Sequence, residues 1–351
     1  MGFINDIYVI SGDTPTTGDY LVRFIDFDGT ILKQQWVNNG DSATAPTPPT
    51  HDLLTFQEWN NDYDNITHDL DVGATYTTTD GKTYLFMRFT NTTGKKPTIH
   101  LNKADTSLMT VTWADGTSQT TSDSGNVSIT KTNPYASTGD YAATIECAGN
   151  WSLNQYFLNN DNNHNKCLLK IYLSNNITEI GVNTFYYLSN LKYISIPNTV
   201  QGAIGDNAFR AATSLQAVIF PERVTAIGGY CFYSDRGIQV IILPNTITAL
   251  NGGWASSCSS LRSVIFPDNI LTVNQVTGLS LQSVHLPNGA TSIATQAFYD
   301  DAVLSSPVII PDGVTAIPEI VWVRCYCLTS VLIPFGVISI GADTFYQCYN
   351  V

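Results

Sequence analysis

At 351 residues the chain is too long for one ordinary hydrophobic core, so two or three domains are expected. Hydrophobic residues make up 43% and charged residues only 13%, with Asn, Thr and Ser filling the polar positions; this excludes general disorder and is low in charge for a cytosolic enzyme. The formal net charge of -13, with sixteen Lys and Arg forming no basic stripe, excludes a nucleic-acid partner.

Residues 1–18 read as an N-terminal segment. The opening MGFINDIYVISGDTPTTGDY has no basic n-region and no apolar run of signal-peptide length, and no later stretch reaches the ~18 apolar residues of a membrane helix. No membrane insertion is expected, and the start suits either a mature chain or a protein that leaves the cell without a signal, as a phage virion component does at lysis.

Residues 19–80 read as short strands separated by turn signals. The segment DYLVRFIDFDGTILKQQWVNNGDSATAPTPP is followed by LTFQEWN and VGATY. With Gly40, Ala43, Pro46, Phe56 and Trp59 in place, it resembles the Listeria-Bacteroides repeat, the small β module also called the internalin B-repeat. Within it, FIDFDGTIL (24–32) is similar to the first motif of the haloacid dehalogenase family. That resemblance implies Asp26 as a phosphoryl-accepting nucleophile and Asp28 as general acid. The competing reading makes Asp28-Gly29 the tight turn of a β-hairpin, and three observations favour it. The residues after the motif are Asn, Gly, Pro and Thr rich and lack helical periodicity. Asp-Gly recurs at Asp80-Gly81 and Asp115-Gly116, and no apolar strand ending in an acidic pair arises later in the domain to hold magnesium.

Residues 81–160 contain VTWADGT and YASTGDYAATIECAG. Through Trp113, Asp115, Gly116, Thr117, Gly139 and Tyr141 they resemble the polycystic-kidney-disease (PKD) type of β-sandwich. The polar run Asn159 to Lys166 is the expected linker.

From 161 to 351 the sequence repeats. Seven prolines, Pro197, Pro221, Pro244, Pro267, Pro287, Pro311 and Pro334, end apolar β-type runs at spacings of 24, 23, 23, 20, 24 and 23; Ser174 holds the same place one period earlier. An apolar residue stands six before this position at Leu168, Leu191, Leu215, Ile238, Leu261, Leu281 and Leu328, with Ser305 the exception. Branched residues follow it, as Val224 and Ile227 do, then an aromatic: Phe185, Phe209, Phe232, Phe298, Trp322 and Phe345. One such unit buries four or five large side chains worth about 1.5–3 kcal/mol each. Ordering costs about 1.5 kcal/mol for every residue, so a unit folds only when stacked on neighbours. The fold class expected is therefore mainly β: a solenoid of about eight repeats with a parallel sheet, preceded by two small β domains. The units resemble the BspA-like leucine-rich repeats of bacterial surface and host-associated proteins, with Ala208-Phe209 and Ala297-Phe298 matching that family's Ala-Phe. The short repeat ending at Pro287 lacks the aromatic, which predicts a local dent.

Neither metal nor cofactor is expected. His51, His68, His100, His164 and His285 show no metal spacing, and each reads as a surface residue. Seven cysteines argue against a disulfide framework; Cys258, Cys325 and Cys348 each stand fourteen after a proline and predict an internal column of free thiols. Sequons at Asn65, Asn91, Asn126, Asn150 and Asn176 are expected by chance in so Asn- and Thr-rich a chain.

In each strand the residues three and one before the proline point inward, so the residue between them faces out. That column reads Tyr172, Ser195, Ile219, Ile242, Ile265, His285, Ile309 and Leu332. Its large members, Tyr172, Ile219, Ile242, Ile265, His285, Ile309 and Leu332, are the candidate ligand-binding residues. The same aliphatics would serve equally beneath a covering element or another copy of the chain. If exposed, Ile242→Lys with Ile265→Lys would weaken partner binding and leave the fold intact. The function expected is non-enzymatic extracellular recognition or adhesion, on a bacterial surface or as a phage tail or receptor-binding component. Its partner would be a cell-surface protein or glycan, other virion proteins, or copies of itself. The alternatives are the phosphatase and a purely structural spacer.

Overall fold

The computed structural model describes residues 19–90, 96–159, 166–278 and 280–351. The N-terminal segment 1–18, the sequon at Asn91, His164 and most of the expected linker lie outside them. Among the described residues there is no helix: the chain is strand and turn throughout.

The first unit is a four-stranded sheet of β1 (Asp19–Ile25), β2 (Ile31–Asn38), β3 (Leu54–Trp59) and β4 (Leu70–Thr78), in the order β2-β1-β4-β3. Strands β1 and β2 form the antiparallel hairpin expected around Asp28-Gly29, with Gly29 in the left-handed region at φ 92°. Strand β1 then pairs in parallel with β4. Val22, Phe24, Val37, Ile66 and Val72 fill a small core on one side of this sheet.

The second unit comprises β5 (Thr83–Phe89), β6 (Thr98–Lys103), β7 (Met109–Thr112), β8 (Ser118–Thr121), β9 (Gly125–Thr130), β10 (Gly139–Cys147) and β11 (Trp151–Asn159). It has two sheets, and each is continued by the solenoid. The first solenoid strand, Leu168–Tyr172, pairs antiparallel with β5, and Ile177–Ile180 pairs in parallel with β11. One apolar core runs unbroken from Leu85 to Leu328. Both sheets therefore cross the boundary expected near residue 160. The sandwich also covers the first coil's open edge, which a stack of repeats cannot leave bare.

The solenoid's coils fall in the frame set by the prolines. The first strand column is Leu168–Tyr172, Tyr193–Ser195, Ala217–Ile219, Val240–Ile242, Ser263–Ile265, Ser283–His285, Val308–Ile309 and Val331–Leu332, joined by short parallel ladders. Each proline carbonyl accepts the N–H three residues on, as Pro221 does from Val224, so a turn begins where the ladder stops. Proline fits there because its missing N–H is not needed. The branched residues after it form a second parallel column, for example Val224–Ile227 beside Gly202–Ile204. Ile194 and Ile241 are buried, as the inward alternation requires. At Ser305, which is exposed, the inward apolar position has slipped by one residue to buried Leu304.

The far side of seven coils, all but the short one after Pro267, is a turn with two left-handed residues four apart among the described residues. The pairs are Asn183/Tyr187, Asn207/Ala211, Tyr230/Ser234, Gly253/Ser257, Gln296/Asp300, Ile320/Arg324 and Asp343/Gln347. This conformation aims alternate N–H groups at the next coil: Asn207, Phe209 and Ala211 donate to the carbonyls of Gly229, Cys231 and Tyr233. The aromatic column stacks inside, Phe185 on Phe209 on Phe232 at centroid distances of 5.1 and 5.2 Å, and resumes as Phe298, Trp322 and Phe345 at 6.1 and 5.3 Å. Between the two runs, at the short repeat, Val276 takes the inner place.

The cysteine column exists too. Cys258 and Cys325 are buried, Cys348 half-buried, and their thiols donate to the carbonyls of Phe232, Phe298 and Trp322 in the preceding coils. Asp235 and Asp301 occupy the same offset and are fully buried, each with one carboxylate oxygen lacking a hydrogen-bond partner. Burial raises both carboxyls well above the usual range.

Candidate interaction surface

The outward column is not uniformly open, because the N-terminal sheet folds back over its first half. Tyr172 is 7% exposed and lies in an aromatic cluster with Phe27, Tyr84 and Phe86. Ser195 donates through its hydroxyl to the Tyr76 carbonyl at 2.9 Å. Ile219 and Ile242, 4% and 2% exposed, close a small cluster with Ile25. Ile265 and His285 stand half-buried at the module's rim, while Ile309 and Leu332 are 63% and 56% exposed. The sequence expectation of a binding face along the whole column is corrected at Tyr172, Ile219 and Ile242, which this chain's own module covers.

The roof is keyed to the coil spacing. Gln57 donates to Asn198 Oδ1 at 2.7 Å and accepts the Asn198 N–H at 2.9 Å. Asn60 donates to the Phe220 carbonyl at 2.9 Å. Asn61 donates to the Leu243 carbonyl at 3.2 Å and accepts the Asn245 N–H at 2.9 Å. Three neighbouring amide side chains thus satisfy edge groups on three consecutive coils, groups that burial would otherwise leave unpaired. Gly73 permits the close approach: a Cβ there would lie 2.4 Å from Ile219 Cγ2. Arg23 forks onto Asp71 at 2.6 and 2.7 Å and also reaches Ser263 Oγ at 3.2 Å. The Ile242→Lys/Ile265→Lys pair is consequently expected to lift the module rather than spare the fold.

Beyond the roof, the last coils depart from the repeat pattern. The residue just after the proline position is Asn175, Asn198, Glu222, Asn245, Asp268, Asn288 and Asp312 in seven coils, and Phe335 in the eighth. Phe335 is fully exposed, and Ile338, three residues on, is exposed where five coils carry Thr.

The two aspartates of FIDFDGTIL work within the hairpin. Asp26 is buried; Oδ1 accepts the Phe27 N–H at 2.8 Å, and Oδ2 lies 2.8 Å from His51 Nε2. Asp28 accepts the Thr30 N–H at 2.9 Å. The next strand returns antiparallel, so the alternation of strand and helix that phosphoryl transfer on such a motif requires does not follow β1. His51 is held edge-on to Phe27 and Tyr76 at 5.0 and 5.1 Å.

The surface reading of the histidines is corrected for three of them, which are part-buried and partnered. His51 is tied to Asp26, and His68 and His285 stack on each other with ring centroids 5.2 Å apart. A shallow cleft lined by Asn61, His68, Leu70, Asp71, Ile242 and Ile265 opens beside that pair. Nothing local in the sequence signals the pairing, which arises from the module folding back.

A family model described as a BspA-type leucine-rich repeat region matches residues 158–277 and 277–351. Among solved structures, the chain is similar to a leucine-rich repeat protein of T. pallidum, at 26% identity over 51% of this chain and 72% of that one, with a TM-score of 0.37. It is also similar to a leucine-rich repeat protein from Bacteroides ovatus, at 19% identity over 52% of this chain and 59% of that one, TM-score 0.35. A leucine-rich cell surface protein from Faecalibacterium prausnitzii shows 18% identity over 51% of this chain and 78% of that one, TM-score 0.23. No curated protein matches the chain.

Proposed function

Since this chain belongs to the BspA-type leucine-rich repeat family, we propose that it is a non-enzymatic recognition protein displayed outside the cell, binding a protein partner through the uncovered outward face of its solenoid sheet around Ile309 and Leu332. The observation that carries this reading is the division of the outward column. The chain covers Tyr172, Ile219 and Ile242 itself and leaves Ile309 and Leu332 exposed. Large aliphatic and aromatic side chains on a rigid β face are the anchors that protein interfaces bury, and they offer no donors or acceptors to the hydroxyls of a glycan. The two preceding units read as a Listeria-Bacteroides-repeat-like module and a PKD-like sandwich. In this protein they act as roof and end cap of the solenoid rather than as free spacers. Display on a bacterial surface accords with the surface proteins that carry BspA-type repeats, and a virion surface is the competing carrier.

The labelled chain should be tested against immobilised extracellular-matrix proteins, epithelial cells and bacterial cells. Ile309→Lys with Leu332→Lys is expected to reduce binding about tenfold or more, the scale on which interface anchors act, with the melting temperature unchanged. Equal binding by the variant, or self-association of the native chain lost in the variant with no other partner bound, would overturn the reading.

A further inference from the structure

We propose that His68, Asp268 and His285 form a binding site for a divalent transition ion of zinc's class, which staples the N-terminal module to the solenoid. Each residue offers one ligand atom, and these atoms all lie within 4.8 Å of one another. They come from three separate places. His68 precedes β4 in the module, Asp268 follows Pro267 in one coil, and His285 is the outward residue of the next coil's strand.

Two features indicate a ligand rather than a chance meeting. His285 Nε2 is buried and has no hydrogen-bond partner, although the ring is held in place by stacking against His68 at an interplanar angle of 15°. Asp268 Oδ2 lies 3.8 Å from His68 Nδ1, too far for a hydrogen bond, and the Thr67 hydroxyl makes only a long 3.4 Å contact with that nitrogen, which an ion would displace. Asp268 is oriented as metal-binding carboxylates are, by outer hydrogen bonds: it accepts the Asn288 N–H at 2.9 Å and the Asn288 side-chain amide at 3.3 Å.

Two imidazole nitrogens and one carboxylate oxygen suit zinc, with water completing a tetrahedron. Calcium and magnesium need more oxygen donors than these residues supply. Tetrahedral ligand atoms around zinc stand about 3.4 Å apart, so loading should draw the three side chains inward by small rotations and tighten the module against its rim.

The full-length chain, stripped with chelator, should be titrated calorimetrically with zinc chloride. The expected result is one ion per chain, with affinity reduced about tenfold or more by His68→Ala and by His285→Ala and unchanged by His100→Ala on the sandwich. In the native chain, zinc should also slow diethyl pyrocarbonate modification of His68 and His285 and leave His100 unaffected. This second readout needs no variant to fold. Absence of stoichiometric uptake, uptake that survives both His substitutions, or modification rates indifferent to zinc would each overturn the proposal.

Discussion

Replacing Gly73 by Ala tests how closely the module seats on the solenoid. The added Cβ would lie 2.4 Å from Ile219 Cγ2 and 3.0 Å from its Cδ1, against about 3.5–4.0 Å for an ordinary carbon contact. Strand β4 must therefore retreat by more than an ångström or Ile219 must leave its rotamer. Either adjustment falls in the range for overpacking a filled core, about 1–3 kcal/mol. Ile219→Ala alone should cost about 2–5 kcal/mol, because Ile219 is buried against Ile25 and Ile242. In that background Gly73→Ala enters vacated space and should cost close to nothing, so the two substitutions couple by about 1–3 kcal/mol. Urea unfolding of the four proteins of this cycle measures the coupling, with amide exchange at Ser195 and Ile219 reporting docking. Additive effects, or a neutral Gly73→Ala, would refute the close seating of β4 on the sheet.

Two further predictions concern buried and paired carboxyls. Asp301→Cys removes an orphaned buried oxygen and supplies the thiol that other coils use at this offset, but also withdraws the acceptor of the Gly278 N–H at 2.8 Å, so the two effects, about 1–3 kcal/mol each, should largely offset at neutral pH. The native Asp301 carboxyl keeps its proton to higher pH than the unfolded chain does. Its contribution is therefore most favourable below the ordinary value of about 3.9 and is lost as pH rises above it. Urea midpoints from pH 4 to 8 should fall more steeply for the native protein than for the variant; parallel profiles would count against a buried neutral acid. Asp115 behaves oppositely. Lys131 Nζ lies 2.5 Å from its Oδ2 and holds the carboxyl down at about 2. Its stabilisation is present at neutral pH and lost as pH falls from about 4 to about 2, worth about 1 kcal/mol after solvent screening of this half-exposed group. Asp115→Asn should flatten the urea midpoint over that interval, and an unchanged acid limb would contradict the pairing.

The solenoid was legible because its physics is local and repeated. A proline where the ladder stops, an apolar residue six before it and an aromatic after it recur in register, and each maps to one place in the coil. The hairpin at Asp28-Gly29 was legible for the same reason. The left-handed pairs were not, since positions such as Tyr187, Ile320 and Arg324 carry no residue that advertises positive φ. There the inter-coil hydrogen bonds impose a conformation against residue preference. Asp235 and Asp301 share the offset of Cys258 and Cys325 and could have been found by extending the cysteine column to other residue types. The roof could not be read: alternation shows that Ile219 and Ile242 face outward from the sheet, and says nothing of which distant segment covers them. Gly73, Asn60 and Asn61 acquire their roles only once the module folds back.

The central claim, a repeat sheet whose outward column is roofed by the chain's own N-terminal module at Ile219 and Ile242 and uncovered at Ile309 and Leu332, is tested most directly by thiol labelling along that column. Cysteine introduced singly at Ile219, Ile242, Ile309 and Leu332, followed by peptide-resolved mass spectrometry, reads the cover residue by residue. Positions 309 and 332 should label at the rate of exposed Cys327, and positions 219 and 242 at least about a hundredfold more slowly, the protection that a few kcal/mol of local opening provides. Equal rates at 219 and 309 would show that the module does not lie on the sheet.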